Sequence, residues 1–184
     1  MNKNRIATRN LVCCALLAAL SVVMARWLCF ATPNGVRWSL DKFPLFLAGL
    51  FFGPVLGGLT GFTADFLGSI MQFGFNPLLC PPAILYGLFG GLLRHFIRKN
   101  PNILRLAVSY LFPVVLGSIL YQSVMLSYFY FDGTLWAGFL YYLGTRTFQF
   151  SIMLVVEVAI LFLLLKTKIF TRMGLWNPGK DENA

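Results

Sequence analysis

Charge is scarce in this chain. Only 11% of its 184 residues are Asp, Glu, Lys or Arg, where soluble globular proteins carry about a quarter. That balance excludes an ordinary soluble domain. Six acids and one histidine leave little for acid–base or metal chemistry. No HExxH or acidic metal motif occurs, and His95 lies in a basic cluster away from the serines expected on the outer face, which argues against a Ser–His membrane protease. No GxxxxGK[ST] loop is present, so the chain does not hydrolyse ATP by that route. The four cysteines, Cys13, Cys14, Cys29 and Cys80, form neither a CxxC pair nor a Cys/His cluster. They read as buried, inert thiols, and no metal site is expected.

What fills the chain instead is apolar: 58% of residues are hydrophobic. Runs of 18 or more such residues recur, each long enough to cross a roughly 30 Å hydrocarbon core as a helix. Weak two-residue alternation argues against an outer-membrane barrel. The sequence therefore predicts a single-domain, all-α integral membrane protein. The apolar run after MNKNRIATRN lacks a small-x-small cleavage site and reads as a retained first helix rather than a signal peptide.

Span count is set by charge. Clear spans cover 11–28, 78–93, 106–129 and 140–165. The stretch 44–73 is interrupted by Gly53-Pro54, where proline lacks a donor and glycine relaxes the backbone. Of the 15 cations, eleven fall in three clusters: Lys3, Arg5, Arg9; Arg94, Arg98, Lys99, Arg105; and Lys166, Lys168, Arg172, Lys180. The positive-inside rule places all three in the cytoplasm. Only six spans do so, which divides the ambiguous stretch into 41–52 and 54–73, with 172–184 as a cytoplasmic tail. The net charge of +9 thus speaks for the bilayer, not for nucleic acid. The second span, at about 1.5 Å per residue, reaches only roughly 18 Å. It must begin in the preceding loop or be sheltered by neighbours.

The remaining cations, Arg26, Arg37, Lys42 and Arg146, then lie outside, against the usual preference. Polar groups gather in the same half: Asp65, Gln72, Asn76, Gln122 and Gln149, with Glu157 deeper. Trp38 and many other aromatics interleave with them. Aromatic residues also anchor helices at membrane interfaces whatever the function, and Arg26 or Arg146 can snorkel from helix ends. A structural Asp65–Arg26 ion pair is a further alternative. Ionisable groups in mid-membrane are costly, however, and usually mark a site. Together these residues point to an outward pocket for a flat, polar-edged anion. Arginines would fork onto carboxylates, aromatic walls would sandwich a ring, and Asp65 with the amides would read hydrogen-bonding edges.

Small residues at four-residue spacing mark helix contacts: Ala15 and Ala19 in the first span, Gly53, Gly57 and Gly61 in the third, Gly87 and Gly91 in the fourth. Internal packing is the default for the glycines. For the two alanines a partner protein is nearly as good an account.

With these features the chain resembles the substrate-binding S components of energy-coupling-factor (ECF) vitamin transporters, most of all the folate-type subfamily. The resemblance runs through MARWL (24–28), VRWSLDKFPLFLAGLFFGPVLGGLTGFTADFLG (36–68) and NPLLCPPAILYGLFGGLLR (76–94). FGPxxG and ADxxG support the superfamily strongly and the folate type moderately. Beyond about residue 98 only hydropathy and length agree. No inverted repeat of the complete-transporter kind is evident.

The resemblance implies a binding subunit without enzymatic activity or a cofactor of its own, which captures folate outside the plasma membrane. A separate transmembrane T subunit and two ABC ATPases would use ATP to drive release inside, while the S component topples in the membrane. It also implies docking through Ala15 and Ala19, and a loop between spans one and two that helps close the pocket. Substrate binding would fall to Arg26, Arg37, Trp38, Asp65, Gln72, Asn76, Gln122, Arg146 and Gln149. Alternatives are another S-component ligand such as pantothenate or a deazaguanine precursor, an integral-membrane enzyme, or a structural subunit without ligand.

Overall fold

Gly53 ends one helix and Pro54 begins the next. Gly53 takes a positive φ of 95°, a region open to glycine at little cost, and Pro54 occupies the first helical turn where its missing donor does no harm. The computed structural model describes residues 3–31, 37–71, 76–99, 102–130, 133–167 and 170. Within them lie α1 (Lys3–Trp27), α2 (Lys42–Phe52), α3 (Pro54–Ile70), α4 (Pro81–Leu92), α5 (Arg94–Lys99), α6 (Ile103–Pro113), α7 (Gln122–Tyr130) and α8 (Leu135–Lys166). A π-helical segment, Val114–Tyr121, joins α6 to α7, and a 3₁₀ turn, Pro77–Leu79, precedes α4. The tail 172–184 lies outside the described residues.

Among the described residues, three helical runs are long and apolar enough to cross a membrane: Thr8–Trp27, Ile103–Phe129 and Leu135–Lys166. The short α2 has 11 residues, and all of Phe43–Phe51 are buried. It is apolar all round, as a helix enclosed by others must be. Of the two ways to accommodate its length, shelter by neighbours is the one observed: α1, α3 and α4 surround it.

Glycine makes that shelter possible. A Cβ on Gly49 or on Gly57 would strike the carbonyl of Gly87, one on Gly61 would strike that of Ala83, and one on Gly91 would strike Pro54. Helices α2, α3 and α4 therefore pack backbone against backbone, as small residues permit. The GxxxG pairs are internal. Gly49, four residues before Gly53, belongs to the same contact.

The link between α1 and α2 is a short antiparallel hairpin, β1 (Cys29–Ala31) with β2 (Arg37–Ser39), pairing Phe30 with Trp38 and Ala31 with Arg37. The sequence had suggested only a loop there. Below it the core is built from Phe46, Tyr86, Tyr110, Leu45, Leu50 and Leu161, with Phe46 and Tyr86 rings against Tyr110 at 5.0 and 5.4 Å. On α1, Cys14, Ala18 and Ser21 face the bundle, whereas Ala15 and Ala19 are exposed.

Candidate functional site

A cavity of about 400 Å³ opens between the hairpin end of the bundle and its core, within the range of small-molecule sites. Six of the candidate residues line it: Arg26, Asp65, Asn76, Gln122, Arg146 and Gln149. Helices supply five of them from four directions, and Asn76 precedes the 3₁₀ turn. Arg26 closes α1, Asp65 comes from α3, Gln122 opens α7, and Arg146 and Gln149 lie one turn apart on α8.

Charge in the cavity is uneven. Lys42 Nζ meets Asp41 Oδ2 at 2.8 Å, and Ser39 Oγ donates to Asp41 Oδ1 at 2.6 Å. Ser21 Oγ donates to the Asp41 carbonyl at 2.7 Å, tying α1 to this corner. That pair is neutral and locked. Two guanidinium groups, Arg26 and Arg146, remain against one carboxylate, Asp65. Arg146 Nη1 donates to Gln122 Oε1 at 3.0 Å and its guanidinium carbon stands 5.8 Å from the Phe150 ring centroid. The Nε atoms of Arg26 and Arg146 are both buried without a protein acceptor. Buried donors of charged groups are costly to leave unpaired.

Several expectations need correction. The ion pair among the described residues is Lys42–Asp41, not Asp65 with Arg26. Asp65 instead faces the thiol of Cys80, because α3 turns it toward the start of α4. Trp38 does not line the cavity. Its strand position turns the indole onto the hydrophobic core. The aromatic sandwich is absent among the described residues: Phe150 is the one ring in the lining, and Trp27, Phe30, Tyr128, Trp136, Tyr141 and Phe148 are exposed, as interface anchors are. Asn76 has a local duty too, since its Oδ1 accepts the Leu78 N–H at 3.1 Å. Arg37 pairs with Ala31 in the hairpin, but its side chain, like the whole of Gln72, lies outside the described residues. Glu157 is 1% exposed and sits below the cavity, where Tyr110 donates to its Oε2 at 2.7 Å.

The sequence reading missed Ser21, Ser39 and Ser69, which line the cavity with Asp41 and Lys42. A serine carries too little signal by itself. Asp41 and Lys42, adjacent acid and base at a helix start, were visible but offered no reason to point inward.

A mostly helical membrane bundle with a cation-rich cavity at one end has the form of a small-molecule binding protein. The model of the ECF transporter substrate-specific component matches residues 9–165. The chain belongs to that family, whose members bind substrate for a transporter and are not enzymes. Over 118 residues it is 28% identical to the folate transporter FolT of Clostridium novyi (strain NT), a match covering 61% of this chain and 64% of that protein. Less than two thirds of that relative's length is thus spanned. The fold matches a crystal structure of FolT bound with folic acid with a TM-score of 0.73 at 25% identity, covering 89% of this chain and 97% of the other. ThiT from Listeria monocytogenes matches in fold with a TM-score of 0.63 at 16% identity, over 90% and 96% of the two chains.

Proposed function

We propose that this chain is the folate-binding S component of an ECF transporter in the plasma membrane. Folate combines a planar pterin, whose edge alternates donors and acceptors, with a glutamate bearing two carboxylates. Arg26 and Arg146 hold the carboxylates or stack on the ring, and Asp65, Gln149 and the free amide of Asn76 read the pterin edge. Arg37 and Gln72 remain candidates for the rim. The single observation that carries this reading is the pair of guanidinium groups with buried, unaccepted Nε atoms opposite one carboxylate. Likeness to the folic acid-bound FolT structure supports the same ligand.

In this reading six helices cross the bilayer, both termini are cytoplasmic, and the cavity opens outward. A transmembrane T subunit docks on α1, and two ABC ATPases supply the energy. Mass spectrometry of small molecules retained on the purified protein tests the ligand. Folate is the expected species. Pantothenate or a deazaguanine precursor in its place, with no displacement by added folate, would overturn the assignment and keep the family.

A further inference from the structure

The turn Pro77–Leu79 forms part of the cavity wall through its neighbours: Asn76 before it and Leu79 within it both line the space. Packing holds this turn weakly, since Pro77 is exposed and Leu78 is 47% exposed. Hydrogen bonds hold it instead. Asn76 Oδ1 takes the Leu78 N–H at 3.1 Å and the Asn76 carbonyl takes the Leu79 N–H at 3.0 Å, which shapes the turn. These bonds are local and do not fix where the turn stands.

A third bond does. The Tyr121 hydroxyl donates to the Leu78 carbonyl at 2.9 Å, across 43 residues of sequence. Tyr121 is the last residue of the π-helical segment, and Gln122 is the first of α7. A π segment re-aims the downstream helix relative to a continuous α-helix, and such segments gather at functional sites. Successive helix positions point about 100° apart. Tyr121 therefore reaches the turn while Gln122 enters the cavity and receives Arg146 at 3.0 Å. The segment is itself fixed: Ser118 Oγ lies 3.0 Å from Tyr86 Oη in the buried core.

We propose that Tyr121 is a positioning residue of the binding site, holding the Asn76–Leu79 wall in register with the Gln122–Arg146 wall. It does not line the cavity and acts through the Leu78 carbonyl. The proposal rests on reading this cavity as the folate site, but part of its test does not.

Cys80 directly succeeds the turn, is 3% exposed and faces Asp65, so its thiol reports wall movement without any ligand. Tyr121→Phe keeps the ring and removes the donor. In the full-length protein, labelling of Cys80 by N-ethylmaleimide, mapped by peptide mass spectrometry, is expected to quicken about three- to tenfold, the equivalent of one net hydrogen bond. Labelling of Cys14, buried between α1 and the bundle, stays at the wild-type rate, as does the melting temperature. Folate affinity falls by a similar factor through faster dissociation, and the loss does not add to that of Asn76→Ala. Unchanged Cys80 labelling overturns the proposal whatever the affinity does, and so does full additivity with Asn76→Ala. Faster labelling in a protein whose wild type binds no folate would leave the Tyr121 tie standing and sink the folate reading.

Discussion

Arg146 and Gln122 meet across the cavity from different helices, Nη1 to Oε1 at 3.0 Å, and the bond spends only part of the guanidinium. Gln122 orients the fork while Arg146 Nε stays without a protein acceptor. In the proposed site, that remaining donor capacity is what a ligand carboxylate would meet.

The first prediction comes from that geometry. Arg146→Ala is expected to weaken folate binding by about 1.5–3 kcal/mol, the range for hydrogen bonds to charged groups. Gln122→Ala costs less, and the double variant costs less than the sum, because both act through one contact. Arg146→Lys rescues poorly, since an ammonium lacks the planar fork. A carboxylate-free pterin loses less affinity than folate does. Isothermal titration of the variants with both ligands checks this. Equal losses for the two ligands would assign Arg146 to the ring instead.

Asp65 is the one carboxylate in the cavity without a cation at bonding distance among the described residues. Asp65→Asn preserves its shape and removes an ionic acceptor. If it reads the pterin edge, affinity drops by about 1.5–3 kcal/mol, roughly tenfold or more, with the melting temperature unchanged. Wild-type affinity in a folded Asp65→Asn protein would give Asp65 a structural task beside Cys80.

The membrane class, the family and the break at Gly53–Pro54 were legible because each rests on local chemistry: apolar runs, contiguous motifs, and residues with restricted backbones. Arg26, Asp65 and Arg146 could be singled out because charge in an apolar segment is expensive. The hairpin was not legible, as three-residue strands have too few positions to show alternation. Trp38 was misplaced for a related reason. An aromatic near a membrane surface serves pocket, core or interface alike, and only the strand register decides which. The π segment left no trace because its residues, VVLGSILY, suit an ordinary apolar helix.

Backbone contact between helices gives a sharp stability prediction. A Cβ at Gly87 would enter the space of the Gly57 carbonyl, and no flexible side chain is there to yield. Gly87→Ala is expected to destabilise by about 1–3 kcal/mol or more through overpacking. Gly144→Ala in α8, where a Cβ meets nothing within 4 Å, gains up to about 1 kcal/mol from helix propensity. Thermal unfolding in detergent compares the two. Similar melting temperatures would mean that α3 and α4 can separate freely.

Topology is tested by position. Single cysteines at Lys3, Lys99 and Lys180, in a background without the native thiols, are expected to react with a membrane-impermeant maleimide only after the cells are opened. The basis is that eleven of the fifteen cations lie near these points. Reaction of position 99 in intact cells would overturn the six-span arrangement.

The last prediction concerns α1. Its inward face carries Cys14, Ala18 and Ser21, buried against the bundle, while Ala15 and Ala19 lie on the opposite side among exposed Leu11, Val12, Leu16 and Val23. Two small residues one turn apart leave a shallow flat on an otherwise bulky surface, which suits close approach of another helix. Nothing in the cavity touches either alanine. Ala15→Trp and Ala19→Trp are therefore expected to leave folate affinity of the isolated subunit near wild type. Uptake by cells that supply the T subunit and ATPases falls to background, because the indoles hold the helices apart. Co-purification of the T subunit is lost in parallel. Retained uptake would move the docking surface elsewhere on the bundle. Loss of folding would mean that the exposed face of α1 packs within this chain after all.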